Sequence, residues 1–122
     1  MPMTKKILLA DDDAAMQESL ASLLEAEGYT VLKAGNGEEA VELARKELPS
    51  LIMLDIHMPR MDGLTACHAI KTDKVIKSIP VVMLTVEGSV REIQQAIDYG
   101  AKTYITKPSS REEILNVVRS II

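Results

Sequence analysis

Six residues of this chain could act together on a phosphoryl group, and each stands just beyond a short apolar run. Asp11, Asp12 and Asp13 follow ILLA, Asp55 follows LIML, Thr85 follows VVML, and Lys107 follows YIT. If the runs are strands of one parallel sheet, these residues share its carboxyl edge, where open α/β sheets bind ligands. Carboxylates a few ångströms apart repel strongly in a partly buried site, and protonation, a cationic side chain or a metal relieves them. Hard oxygen donors suit Mg2+, which keeps several waters and pairs with phosphate oxygens. The Lys107 ammonium and the Thr85 hydroxyl match phosphate oxygens. An Asp beside metal and ammonium can attack phosphorus and form an aspartyl phosphate. Such a displacement relies on positioning and charge neutralisation more than on acid–base chemistry. Three consecutive Asp would also suit a solvated helix start, where the helix dipole favours negative charge. Thr is at home in any strand. The joint pattern, with Asp55 closing an adjacent strand, is what points to a site.

The elements that must position these residues repeat one theme of apolar run, turn and amphipathic stretch. Residues 7–10 form a continuous apolar run, expected of a strand buried on both faces. Residues 14–27 carry Met16, Leu20, Leu23 and Leu24 at helical spacing, and Gly28 sits where a helix ends. A weaker, edge-like strand is expected at 29–33, and Asn36-Gly37 reads as a turn. Helical spacing resumes over 38–48, where Pro49 stops it. The second buried strand spans 51–54, a loop spans 58–63, and Leu64, Cys67 and Ile70 mark one helix face. The third buried strand is expected at 79–84. Val90, Ile93, Ala96 and Ile97 mark a further helix, closed by Gly100. A strand at 103–106 and a helix at 111–122 complete the chain, with Ser109 or Ser110 as the N-cap and two Glu in the first turn. Five βα units predict an α/β fold, a parallel sheet with helices on both faces and right-handed crossovers.

Length and composition narrow the function classes. A chain of 122 residues is one domain, 1–122, large enough for a real core. Three Tyr and no Phe or Trp make that core aliphatic and leave no platform for stacking bases. A net charge of −4 argues against a general phosphate-backbone binder, so no direct nucleic-acid binding is expected. The lone Cys67 excludes an internal disulfide and a cysteine-based zinc cluster. The first apolar run is too short for a signal peptide or a membrane span, so the expectation is a soluble cytoplasmic domain without membrane contact.

The segments ILLADDD, LIMLDIHMPRMDG, VVMLTVEG and YITKPSS, in this order and spacing, resemble the receiver domains of bacterial two-component response regulators. The resemblance covers nearly the whole chain. It implies the flavodoxin-like (βα)5 sandwich with strand order 2-1-3-4-5. It also implies Asp55 as the phosphoacceptor and Asp12 as a direct Mg2+ ligand, with Asp11 acting largely through water. The His57 backbone carbonyl would complete the protein ligands, and Asp13 matches the variable position after the acidic pair. Thr85 and Lys107 would hold the phosphoryl oxygens, with Lys107-Pro108 a cis peptide. Tyr104 matches the family's aromatic switch, turning inward as Thr85 moves toward the phosphoryl group. Phosphorylation would thereby change the partner preference of the face built by the fourth helix, fifth strand and fifth helix. The implied partners are a histidine kinase or phosphotransfer protein upstream, and a protein target or an attached effector domain downstream. The domain would act as a monomer or a phosphorylation-dependent dimer. It would catalyse only its own phosphorylation and dephosphorylation.

Val86 departs from the small residue that usually follows the Thr, and its branched side chain would narrow access to Asp55. His57 and Glu87 occupy positions that tune aspartyl-phosphate lifetime, since their side chains border the path of the attacking water. His68 reads as a surface helix residue and the seven Met as core filler or loop residues. Two rival readings remain. A Mg2+-dependent phosphohydrolase with an aspartyl nucleophile would need an Asp-x-Asp-Gly-Thr-like motif, but Ala14 and Ala15 follow Asp13. A constitutive interaction module would keep this fold and never turn over phosphate.

Overall fold

The computed structural model describes residues 4–86, 90–107 and 109–122. Strands and helices alternate along the chain: β1 (Lys6–Ala10), α1 (Ala14–Ala26), β2 (Thr30–Ala34), α2 (Gly37–Glu47), β3 (Leu51–Asp55), α3 (Gly63–Lys71), β4 (Val81–Val86), α4 (Val90–Asp98), β5 (Thr103–Lys107) and α5 (Arg111–Ile121). The strands form one parallel sheet in the order β2-β1-β3-β4-β5. The expected flavodoxin-like (βα)5 sandwich is therefore the observed fold.

Side-chain alternation along the central strands divides the core in two. Leu8, Ala10, Ile52, Leu54, Val81 and Met83 pack on the face covered by α2, α3 and α4, against residues such as Val41, Ile70 and Ala96. Ile7, Leu9, Leu51, Met53, Val82 and Leu84 pack on the opposite face, against Leu20 and Leu24 of α1 and Leu115 and Val118 of α5. Burial on both faces is why β1, β3 and β4 read as unbroken apolar runs. The buried hydrophobic side chains are entirely aliphatic or sulfur-containing.

Helix starts are set by capping side chains. Asp13 Oδ1 accepts from Met16 N, Asn36 Oδ1 from Glu39 N, Asp62 Oδ1 from Thr65 N, and Ser110 Oγ from Glu113 N. Each satisfies an otherwise unpaired backbone donor. Two expectations shift as a result. Asn36-Gly37 is not a free turn but the cap and first residue of α2, which begins one residue earlier than the spacing suggests. The third buried strand runs over Val81–Val86 instead of 79–84. Pro80 has no N–H for the ladder and contributes only its carbonyl, which accepts from Ile52 N at 3.0 Å. Gly28 has a φ of +97°, the left-handed conformation expected after α1.

The sheet register puts the chemistry on one edge. Ala10 pairs with Leu54, so Asp11 and Asp55 leave the sheet side by side. Asp55 pairs with Leu84, Thr85 with Thr106, and Val86 with Lys107. Gly63 fixes how closely α3 approaches this edge: a Cβ there would lie 2.1 Å from the Asp55 carbonyl oxygen, and its N donates to Ile56 O at 2.7 Å. Backbone cannot yield as a flexible side chain could. Gly63→Ala is expected to destabilise the fold by about 2 kcal/mol or more in urea titration. Gly35→Ala, with nothing within 4 Å of its Cβ position, should stay within about 1 kcal/mol of wild type. Equal midpoints for the two variants would refute the close-approach account.

Candidate functional site

β1 and β3 are adjacent strands that end in carboxylates. Asp11 is buried at 2% exposure, Asp55 is buried at 9%, and Asp12 is exposed. Each offers an oxygen, and the three oxygens lie within 4.8 Å of one another. Lys107, at the end of β5, reaches this cluster with its half-buried ammonium: Nζ lies 3.1 Å from Asp11 Oδ2 and 3.4 Å from Asp55 Oδ2. Three carboxylates thus face one ammonium.

The ionisation preferences follow from that crowding. Burial raises the Asp55 pKa above the ordinary carboxylate value; the Lys107 charge opposes this, and the nearby Asp11 adds to it. For Lys107, burial works against the ammonium. The hydrogen bond that Lys107 donates to Asp11 and the charges of Asp55 and Asp11 prevail, and its pKa lies above the usual lysine value. Asp55 is therefore a carboxylate whose charged form burial and the nearby Asp11 disfavour even with Lys107 beside it. An all-oxygen donor set in that condition fits a hard divalent cation such as Mg2+.

Among the described residues, none of the other predicted side chains hydrogen-bonds to this cluster. Thr85 is buried at the end of β4, and its hydroxyl donates to the Val86 carbonyl at 3.2 Å. Val86 is exposed beside it. Tyr104 is 44% exposed on β5, outside the core. The exposed His57 side chain turns toward α4, with Nε2 3.2 Å from Glu92 Oε1. Asp13 serves the α1 cap, and its backbone N donates to Asp11 Oδ1 at 3.0 Å. His68 is exposed on α3 and packs on the Tyr99 ring, with centroids 4.9 Å apart. Glu87 and Pro108, and with them the cis-peptide expectation, lie outside the described residues.

Gln17 has a part in this edge that sequence reasoning passed over. Its Nε2 donates to the carbonyls of Ala34 at 2.8 Å and of Leu9 and Asp11 at 3.3 Å. It ties the ends of β1 and β2 together directly behind the acidic cluster. The one signal available was its place, a turn into the helix that follows the acidic run.

Comparison with known proteins bears on the same elements. The family described as "Response regulator receiver domain" matches residues 7–119. The DNA-binding dual master transcriptional regulator RpaA of Synechocystis is 40% identical over 117 residues, covering 96% of this chain and 48% of its own length. The response regulator MprA of Mycobacterium ulcerans is 38% identical over 120 residues, covering 98% of this chain and 51% of its own. The chain thus spans about half the length of these relatives. Among solved structures, the chemotaxis protein CheY4 of Vibrio cholerae superposes with a TM-score of 0.92 at 29% identity, over 98% of this chain and 100% of that one. With a family match across nearly all its strands and helices, this chain belongs to the response regulator receiver domains of two-component signalling.

Proposed function

We propose that residues 1–122 act as one phosphoacceptor domain in which Asp55 takes a phosphoryl group from a phosphohistidine of a histidine kinase or phosphotransfer protein. The observation that carries this reading is the buried Asp55 carboxylate, bridged to Asp11 by the Lys107 ammonium at the sheet's carboxyl edge. An Asp55 carboxylate oxygen attacks phosphorus, the phosphorus–nitrogen bond to the donor imidazole breaks, and that imidazole leaves with the bonding pair. Lys107 holds a phosphoryl oxygen as a point charge, and Thr85 supplies its hydroxyl once it turns from the Val86 carbonyl. The side chains of Asp12 and Asp55 and the His57 carbonyl would hold Mg2+, with Asp11 through water. The ion supplies charge neutralisation for the carboxylates and the phosphoryl oxygens.

In this reading the exposed Tyr104 is in the unphosphorylated arrangement, and its inward turn follows the movement of Thr85. The α4-β5-α5 face then changes its preference for a target protein or an effector domain of a longer chain. That RpaA is named DNA-binding, while this chain carries a net charge of −4, supports DNA contact by a separate domain. The domain works in the cytoplasm, as a monomer or as a dimer formed on phosphorylation. No described helix is long and apolar enough to cross a membrane. It turns over only its own phosphoryl group, which distinguishes it from a phosphohydrolase acting on free esters.

Incubation with acetyl phosphate and Mg2+ should add one phosphoryl mass to the intact chain, base-labile and acid-stable. The adduct should be absent from Asp55→Asn and absent when Mg2+ is chelated. No adduct on wild type would favour the constitutive module, and multiple-turnover hydrolysis of unrelated phosphate esters would favour the enzyme.

Val86→Ala should accelerate phosphorylation by acetyl phosphate several-fold, because Val86 stands exposed next to Thr85 at the site's mouth. An unchanged rate would remove Val86 as a gate.

The raised Asp55 pKa also has a stability consequence. Because the folded value lies above the unfolded one, this group's contribution is fully present below the ordinary carboxylate pKa of 3.8. It is lost as pH rises through the folded value. At neutral pH the ionised carboxylate therefore opposes folding. Asp55→Asn should raise Tm at pH 7, with the gain shrinking toward pH 4. A Tm that falls would contradict the account that burial and crowding disfavour the Asp55 charge.

A further inference from the structure

The helix that leads into the proposed output face is held at its two ends by different means. Ala96 is the buried residue of α4, while Val90 is 75% exposed and Ile97 39%. Near its C-terminal end, Ala101 N donates to Ala96 O and the Tyr99 ring packs on His68 of α3. In its first turn, Glu92 Oε1 meets His57 Nε2 at 3.2 Å. Among the described residues, this is the one side-chain hydrogen bond joining α4 to a distant part of the chain. The remaining two from α4 side chains, Gln94 to Asp98 and Gln95 to Tyr99, stay within the helix or its end. His57 stands two residues beyond Asp55, on the loop that borders the acidic cluster. Among the described residues, a single side-chain hydrogen bond therefore links that loop to the start of α4.

We propose that Glu92 is a positioning residue for the phosphoryl site, acting through His57, whose imidazole it holds as a side wall at the mouth of the Asp55 site. The proposal rests on the assignment of Asp55 as phosphoacceptor. The bond does not require a charged ring, because a neutral imidazole protonated on Nε2 donates to a carboxylate. An exposed His side chain left free samples several rotamers, whereas one pinned to Glu92 keeps its position. The reaction it restrains is hydrolysis of the aspartyl phosphate. A water oxygen attacks phosphorus, the bond from phosphorus to the Asp55 oxygen breaks, and the carboxylate is regenerated as inorganic phosphate leaves with the water's proton released to phosphate or solvent. A wall fixed beside that trajectory slows the water. By linkage, whatever displaces His57 also loosens the first turn of α4, and whatever grips that turn steadies His57.

The test uses the whole chain, phosphorylated with acetyl phosphate and Mg2+ and then freed of donor, with loss of the phosphoryl mass followed in time. Glu92→Ala and His57→Ala should each speed the loss three- to tenfold, tenfold corresponding to about 1.4 kcal/mol. The double variant should be no faster than the faster single one. Glu92→Gln, whose amide oxygen still accepts, should recover most of the wild-type lifetime. In the unphosphorylated chain, both Ala variants should speed amide hydrogen exchange at residues 90–94 while β1 and β3 remain unchanged. Lifetimes within twofold of wild type in both single variants would overturn the proposal. So would single effects that multiply in the double variant, or exchange at 90–94 that ignores His57→Ala. If wild type takes no phosphoryl group on Asp55, the assignment of the acceptor fails first. The exchange comparison then decides the His57–Glu92 coupling alone.

Discussion

Negative charge crowded onto the carboxyl ends of β1 and β3 is the constraint that the rest of this fold serves. Two unit charges about 4 Å apart interact by roughly 4 kcal/mol at the effective dielectric of a protein boundary. That is a large share of a small domain's net stability. The chain meets this cost with rigid surroundings: strands buried on both faces, a glycine that lets α3 touch the end of β3, and Gln17 tying β1 to β2. One compensating cation comes from β5, two strand spacings from β3, or roughly 10 Å. A long, flexible lysine suits that span. It leaves Asp55 with a raised pKa, an anionic oxygen still short of partners.

That residual imbalance is also what makes the edge responsive. A carboxylate well satisfied by arginine would be structural and inert, whereas one lacking positive charge can gain it from a bound cation. The neighbouring groups are placed to respond without being committed. Thr85 spends its hydroxyl on its own strand, Tyr104 lies outside the core, and α4 presents apolar residues to solvent. Small domains switch in this way when two packings of a few side chains differ little in free energy and a charge change at one point selects between them.

Much of this was legible in the residues alone, for identifiable reasons. The buried parallel strands announce themselves because both faces are covered, so no polar alternation interrupts ILLA, LIML or VVML. Their ends are legible because a polar or charged residue closes each run, and register then follows from adjacency in the sheet. Less legible were features set by single side chains acting on backbone. Asn36 reads as a turn former until its cap on Glu39 is seen, and Pro80 looks like part of a strand until its missing N–H displaces the ladder. Gln17 and Glu92 were not visible as site neighbours at all. Their importance depends on which carbonyl or imidazole the tertiary fold brings within reach, and no local spacing encodes that.

The central claim, that Asp11, Asp12 and Asp55 form a site deficient in positive charge and suited to a divalent cation, is tested most directly by calorimetric titration with Mg2+ alone. The account predicts one ion per chain, bound at least about tenfold more weakly by Asp55→Asn, and progressively lost as acid protonates Asp55. Binding of equal strength by wild type and Asp55→Asn, or no binding to wild type at neutral pH, would contradict it.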